Sequence, residues 1–192
     1  MSKNRRGKKS GLLLEVLALS FAAFLLSFVM NAAFEGISHG ISLGVGIPLT
    51  LSVVGLGVIS DGLGVASARA KEGPLLSMAS RRIIGAREAL WFVRNAAKVS
   101  SVCNDVLGDV AATISGALAV AVSFSVQAAY PDISWLLATS AAVGVASALS
   151  VGGKALFKPV ALKYAESMIL FLGRARYYVN RAFRRTKNPD DR

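Results

Sequence analysis

The sequence predicts an all-α integral membrane protein with about four transmembrane helices, because its charges are few and are grouped between long apolar runs. Hydrophobic residues make up 54% of the 192 residues and charged residues only 17%, whereas soluble domains usually carry about 25% charged residues. The formal net charge is nevertheless +11, so the basic residues must lie outside the apolar runs. This composition argues against a soluble globular domain and against a disordered chain.

Four uncharged runs are long enough to cross a bilayer as helices. They contain 19, 25, 22 and 21 residues and cover 16–34, 36–60, 110–131 and 133–153. At 1.5 Å of rise per residue, about 20 apolar residues cross a hydrocarbon core of roughly 30 Å. Lipid-exposed backbone must satisfy its own hydrogen bonds, which favours helices. The predicted transmembrane helices cover about 12–34, 41–66, 100–127 and 133–153.

Small residues at four-residue spacing are predicted to let these helices approach one another closely. The pairs with this spacing are Gly40 with Gly44, Ala142 with Ala146, and Gly144 with Ala148.

The distribution of basic residues predicts that both termini lie in the cytoplasm. Residues 1–10, 68–98 and 154–192 carry five, seven and ten Lys or Arg, whereas the two remaining connections carry none. The positive-inside rule therefore places the three basic segments on the cytoplasmic side of the plasma membrane. The predicted organisation is a basic N-terminus over 1–11, a four-span domain over 12–153, a basic amphipathic helix over 154–186 and a disordered tail over 187–192.

Two of the basic segments also have the spacing of amphipathic helices. Over 76–99, within the cytoplasmic segment 68–98, basic residues alternate with Ile, Leu, Trp and Val at helical spacing. The pattern recurs over 160–186, where Pro159 is predicted to start the helix. Such helices lie in the membrane interface with their basic groups near anionic headgroups. We therefore expect the lipid bilayer and anionic lipid headgroups as partners, and we expect no nucleic acid.

Acidic side chains inside the predicted spans give the strongest indication of function. Asp61 ends the second run, and Asp105 and Asp109 lie four residues apart, on one face of the third predicted helix. Carboxylates at membrane depth are energetically costly and indicate a functional site by default. With the amide of Asn104 they offer the oxygen ligands that hard divalent cations prefer. Proton relay is an alternative, as are helix capping and structural ion pairs with Arg69, Lys71 or Arg82.

Other chemistry finds little support in the sequence. A single Cys and a single His exclude an intramolecular disulfide framework and a His-rich metal cluster. No G-K-[ST] motif indicates a nucleotide site. With one histidine, placed outside the spans, no Ser-His-Asp set is credible, and we expect the protein not to be an enzyme.

The residues around the acids resemble the transmembrane domain of CorC/cyclin-M type magnesium transporters. Ser60 to Gly73 reads S-D-G-L-G-V-A-S-A-R-A-K-E-G, which is similar to the family's Ser-acid motif and basic stretch. Cys103 to Ala111 reads C-N-D-V-L-G-D-V-A, which is similar to its Asn-rich span. The resemblance covers about 42–153 and implies a Mg²⁺ pathway between helices. The site it implies consists of Ser60, Asp61, Asn104, Asp105, Gly108 and Asp109.

Two departures from the family pattern affect the expected site and its regulation. The family's second asparagine falls at Gly108, with Asp109 beside it. The family's nucleotide-sensing CBS pair is not found in these residues, so we expect CBS regulation to be absent or supplied by another chain. Because four spans rarely enclose a pathway alone, we expect a homodimer. The alternative function is a non-transporting membrane scaffold or interaction protein that binds anionic lipid or a partner through its basic amphipathic helices.

Overall fold

A computed structural model describes residues 17–18, 20–29, 32 and 41–187, with the side chains of 183–187 excepted. These residues form helices joined by short connections, and no strand occurs among them. The all-α prediction is therefore confirmed for the described part of the chain. The predicted N-terminus over 1–11, the ends of the first predicted span and the tail beyond Lys187 lie outside the described residues.

The helices, numbered in chain order, include three that are long and apolar enough to cross a membrane: Leu43–Arg69, Ala96–Ala129 and Trp135–Lys163. They correspond to the second, third and fourth predicted spans. The first predicted span is described as a ten-residue apolar helix, so four spans stay a prediction. The full series is α1 (Ser20–Val29), α2 (Leu43–Arg69), α3 (Glu72–Ser80), α4 (Ala86–Arg94), α5 (Ala96–Ser101), a π-helix (Val102–Gly108), α6 (Asp109–Ala129), α7 (Trp135–Lys163) and α8 (Ala165–Lys187).

The chain forms two compact units, and the three long helices each contribute to both. The first unit consists of Met1–Ser60 and Asp105–Lys154, and the second of Asp61–Asn104 and Ala155–Arg192. The divisions fall inside helices, between Ser60 and Asp61, between Asn104 and Asp105 and between Lys154 and Ala155.

In the first unit, neighbouring long helices run antiparallel. Gly46 of α2 meets Val122 of α6, and Gly57, eleven residues later, meets Ala111, eleven residues earlier. α6 and α7 form a helical hairpin, in which the hydroxyls of Ser123 and Thr139 are 3.1 Å apart. Alternating directions are what successive membrane crossings with short connections require. The buried core of this unit contains Ile41, Val110, Ile114 and Leu118, with Leu26, Leu49 and Val53 packed against it.

In the second unit, α3, α4 and α8 pack around a core of mostly aliphatic side chains. α4 and α8 approach closely where Gly85 meets Gly173, since a Cβ on Gly173 would overlap the Gly85 carbonyl. Leu75 of α3 and Ile169 of α8 are fully buried. The core consists of Ala66, Ala70, Leu75, Ala89, Leu90, Ala165 and Ile169.

The prediction of one continuous amphipathic helix over 76–99 is wrong, because the segment is divided among several helices. α3 ends at Ser80 and α4 begins at Ala86, with a turn between them in which Arg82 has φ 56° and Gly85 has φ 84°. These left-handed conformations cannot continue an α-helix.

The predicted start of the C-terminal helix at Pro159 is also wrong, since Pro159 lies inside α7 and α8 begins at Ala165. Proline fixes φ near the helical value and removes only one backbone donor. An exposed helix can therefore continue through it.

The glycines at the helix contacts are not those of the predicted small-residue pairs. Gly44 and Gly144 face open space, and Gly40 lies outside the described residues, although Ala146 is buried. The helices approach each other closely at other glycines, where a side chain of the neighbouring helix occupies the space that a Cβ would need. Such glycines on the long helices are Gly46, Gly57, Gly62, Gly64 and Gly153.

Candidate cation site

The predicted site region contains a π-helix, which the sequence analysis did not predict. Residues Val102–Gly108 form this segment, and Asn104 and Asp105 lie within it. A π-helix replaces the i→i+4 hydrogen bonds by i→i+5 bonds, and such segments are rare and frequent at functional sites. The altered bonding changes which way the side chains of this turn point relative to a regular α-helix.

Asn104 is the most constrained polar side chain of this region. Its Oδ1 is shielded from solvent and accepts no hydrogen bond from the described residues. Its Nδ2 lies 3.4 Å from Oγ of Ser100, which is long for a hydrogen bond. An unsatisfied buried amide oxygen costs about 1–3 kcal/mol. Such an oxygen has a free lone pair to offer a cation.

Gly64 of α2 makes room for this amide. A Cβ built on Gly64 would overlap Oδ1 of Asn104, so only glycine permits the observed contact. Ser67, three residues later, is fully buried and donates its hydroxyl to the Gly64 carbonyl at 2.8 Å. This bond satisfies the hydroxyl locally. Asp61 precedes Gly64 by three residues and therefore lies one helical turn away on the same face of α2.

The six predicted site residues divide between the two units. Asp61 and Asn104 belong to the second unit, where both are half-buried. In the first unit Asp105 and Asp109 are exposed, whereas Gly108 is buried and its carbonyl lies close to Gly57. The members assigned to the first unit are Ser60, Asp105, Gly108 and Asp109.

The acids do not form a multi-carboxylate cluster in the described part of the chain. No group of three or more His, Cys, Asp or Glu side chains there is arranged to hold a metal ion. Within the second unit, Asp61 forms no ion pair with Arg69, Lys71 or Arg82. The one ion pair recorded for the described residues joins Arg94 to Glu72 at 3.2 Å. Among the described residues, Asp61 thus lacks the basic partner that the structural alternative requires.

Two features of the site were missed from the sequence, the π-helix and the contact of Asn104 with Gly64. Neither has a hydropathy signal, although the G-V-A-S spacing of Gly64 and Ser67 marks a small, polar face of α2. Comparison with protein-family models, with curated proteins and with solved structures finds no match to this chain. The site must therefore be interpreted from its own chemistry.

Proposed function

We propose that the protein is a polytopic membrane protein that binds a divalent cation, with Mg²⁺ as the first candidate. The observation that carries the proposal is the buried Oδ1 of Asn104, which has no donor among the described residues. An acceptor without a donor at membrane depth is destabilising by itself, and a bound cation compensates it. The carboxylate of Asp61, one turn from the glycine that contacts Asn104, supplies charge.

The small number of protein ligands favours Mg²⁺. This ion dehydrates reluctantly and is usually held through one or two carboxylates while it keeps several waters. One amide oxygen and one carboxylate match that pattern better than they match the six to eight protein oxygens that Ca²⁺ prefers. Asp105 and Asp109 are further candidate ligands from the sequence. The resemblance to CorC/cyclin-M type transporters extends the proposal to Mg²⁺ transport by a homodimer.

The test is calorimetric titration of Mg²⁺ into the purified full-length chain in detergent. We expect saturable binding by the wild type and loss of that binding in Asn104→Leu. Leucine keeps the branched heavy-atom shape of the asparagine side chain and removes the unsatisfied oxygen, although its methyl groups are larger. The gain from removing that oxygen offsets the tighter packing, so the metal-free variant should be about as stable as the wild type. The matched control is Asn95→Ala, because the Asn95 amide already donates to the Trp91 carbonyl at 2.8 Å.

The carboxylates are tested by Asp61→Asn and by the double variant Asp105→Asn/Asp109→Asn. Each is expected to weaken Mg²⁺ binding about tenfold or more. Asp132→Asn, in the connection between α6 and α7, removes an exposed acid as the control. Unchanged binding in Asn104→Leu contradicts the role of Asn104. No binding by a folded wild type contradicts the proposed function.

A non-transporting scaffold that binds anionic membrane surfaces is the second candidate function. It is favoured by α4 and α8, which carry basic residues together with the exposed side chains of Trp91 and Phe171. Under this function the Mg²⁺ titration gives no saturable heat, and Asn104→Leu leaves binding to anionic membrane surfaces unchanged.

A further inference from the structure

The turn between α3 and α4 places an arginine where a glycine is usual. The N–H of Arg82 donates to the Ala79 carbonyl and the N–H of Ile83 to the Met78 carbonyl, both at 3.0 Å. These two bonds define a Schellman motif, in which the left-handed residue is most often glycine. Here that residue is Arg82, with φ 56°. The turn thus holds a long basic side chain at a backbone position that such residues rarely occupy.

Arg82 lines an open pocket of about 390 Å³ in the second unit. Arg87, Glu88 and Tyr177 line the same pocket, so two guanidinium groups, one carboxylate and one phenol surround it. The formal charge of these four side chains is +1. Neither arginine forms an ion pair with any residue that the structure describes, including the Glu88 carboxylate beside them. Both guanidinium groups are therefore available to a ligand.

The chemistry of the pocket matches a phosphate group. Guanidinium donors form a planar fork that binds phosphate oxygens through two parallel hydrogen bonds. The Tyr177 hydroxyl is a further donor. The Glu88 carboxylate repels an anion, so it lowers the affinity of the pocket for phosphate. Removing this charge should therefore raise the affinity, whereas removing an arginine should lower it.

Apolar side chains in the same pocket identify the kind of molecule that carries the phosphate. Ile83 and Ile84 line the pocket with the arginines and are 38% and 50% exposed. Exposed aliphatic side chains next to basic groups are typical of a membrane interface, where the apolar part faces acyl chains and the basic part faces headgroups. A soluble anion would gain nothing from the two isoleucines.

We propose that the pocket formed by Arg82, Arg87 and Tyr177 binds the phosphate of an anionic phospholipid headgroup, with Ile83 and Ile84 contacting its acyl chains. The inference rests on the membrane location supported by the three long apolar helices. It does not depend on Asn104 or on cation binding, so the two proposals can fail separately.

The experiment uses the delipidated full-length chain in neutral detergent, titrated calorimetrically with dihexanoyl phosphatidylglycerol. We expect saturable binding that is weaker for dihexanoyl phosphatidylcholine, whose choline is repelled by the arginines. Arg82→Gln/Arg87→Gln should lower the affinity about 30-fold, or roughly fivefold for each arginine. The charge-matched control is Lys98→Gln/Arg181→Gln, two exposed basic residues outside the pocket. At physiological salt the control should stay within about twofold of the wild type.

Two single variants distinguish a loss of lipid binding at the pocket from a loss caused by unfolding. Arg82→Gly removes the side chain and places the favoured residue at φ 56°, so it should lose about fivefold in lipid affinity without a lower melting temperature. Glu88→Gln removes the opposing charge and should raise the affinity a few-fold, whereas Glu166→Gln, half-buried in α8 and outside the pocket, should not. Mg²⁺ binding should persist in all five variants of this experiment, the two double variants and the three single ones.

Three results overturn the inference. Equal losses in the pocket and control double variants indicate diffuse surface charge instead of a site. Inorganic phosphate that binds as tightly as phosphatidylglycerol, at equal ionic strength, assigns the pocket to a soluble anion. No binding of phosphatidylglycerol by the folded wild type shows that the pocket does not bind an anionic phospholipid.

Discussion

The side-chain amide of Asn104 lies directly on the Cα of Gly64, at a point where any larger residue on α2 would overlap it. The contact joins a helix of conventional geometry to a π-helix, and it buries an oxygen without a donor among the described residues. Close Cα–H···O contacts of this kind recur at helix interfaces and are weakly favourable. They do not replace the lost hydrogen bond of the Asn104 oxygen. The contact therefore costs stability, which packing alone does not explain.

Gly64→Ala is expected to destabilise the protein by about 1–3 kcal/mol, because the new methyl group must displace the Asn104 amide from a packed position. Gly55→Ala, on the same helix with no heavy atom within 4 Å of its added Cβ, is the matched control. The control should gain about 0.5–1 kcal/mol from its higher helix propensity. Reversible unfolding in mixed detergent and dodecyl sulfate micelles measures both changes.

A double variant of Gly64 and Asn104 tests whether overlap with the Asn104 amide causes the loss of stability in Gly64→Ala. Asn104→Ala shortens the side chain that the new methyl group would meet, so the double variant Gly64→Ala/Asn104→Ala should recover part of the stability lost by Gly64→Ala. Additive effects of the two substitutions would show that the amide and the glycine are not in contact.

Arg82→Gly is expected to raise the free energy of unfolding by about 1 kcal/mol, since the left-handed conformation disfavours a residue with a Cβ. Arg81→Gly is the natural control, because Arg81 has φ −80° and gains nothing from glycine. That control should lose about 0.5–1 kcal/mol through backbone entropy. If both substitutions change stability in the same direction, the left-handed position of Arg82 is not the cause.

The three long apolar helices were the part of the fold that the sequence could predict, because the thickness of a bilayer sets the length of an apolar run that crosses it. The residues around Leu43, Asp109 and Trp135 were assigned to helices correctly. The last helix is longer than the predicted span 133–153: that span ends where Lys154 interrupts the uncharged run, whereas α7 continues to Lys163. Lysine side chains can extend along a helix and keep their amines in water, so a charge need not end the helix.

The contacts within the site could not be predicted in the same way. Asn104 and Asp61 stand out as polar residues in apolar stretches of the sequence. The contact of Asn104 with Gly64, however, depends on the register between α2 and the π-helix. Hydropathy carries no information about that register. The π-helix is a shift of hydrogen bonds that leaves the apolar pattern of 102–108 unchanged. Gly85 was a signal for the break after α3, since an isolated glycine in a helical pattern often marks a terminus.

Gly173→Ala should separate α4 from α8 and destabilise the second unit by about 1–3 kcal/mol. The added methyl group would overlap the Gly85 carbonyl and lie 2.7 Å from the Ala89 nitrogen. Gly73→Ala, in the first turn of α3 with open space around it, is the control and should be neutral or slightly stabilising. Proteolysis at the exposed turn between α3 and α4 gives a second measurement. Equal protease resistance of the two variants would contradict close packing at Gly173.

The predicted orientation can be tested with single cysteines in a Cys103→Ser background. Asp132→Cys lies in the connection between α6 and α7, and Lys98→Cys lies in α5; both positions are exposed. If the positive-inside rule applies, an impermeant maleimide labels position 132 in intact cells and labels position 98 only after permeabilisation. The opposite pattern would invert the topology and place the basic α4 outside.

Arg176 and Trp91 are expected to stabilise the packing of α8 on α4 through a cation–π interaction. The guanidinium carbon of Arg176 lies 3.9 Å from the centroid of the Trp91 ring and 5.6 Å from that of Phe92. Trp91 is 46% exposed, and at partly exposed sites this interaction contributes about 0.5–1 kcal/mol. Arg176→Gln should therefore lower the free energy of unfolding by about that amount, whereas Arg181→Gln, one helical turn and more along α8, should leave it unchanged.

A double-mutant cycle distinguishes the ring contact from the loss of one surface charge. In the Trp91→Leu background, where the ring is absent, Arg176→Gln should have little further effect, because the two single substitutions remove the same interaction. Additivity of the two changes would show that the arginine stabilises α8 by its charge alone. Arg176→Lys should retain only part of the stability, since the planar guanidinium stacks on the indole and an ammonium group does not.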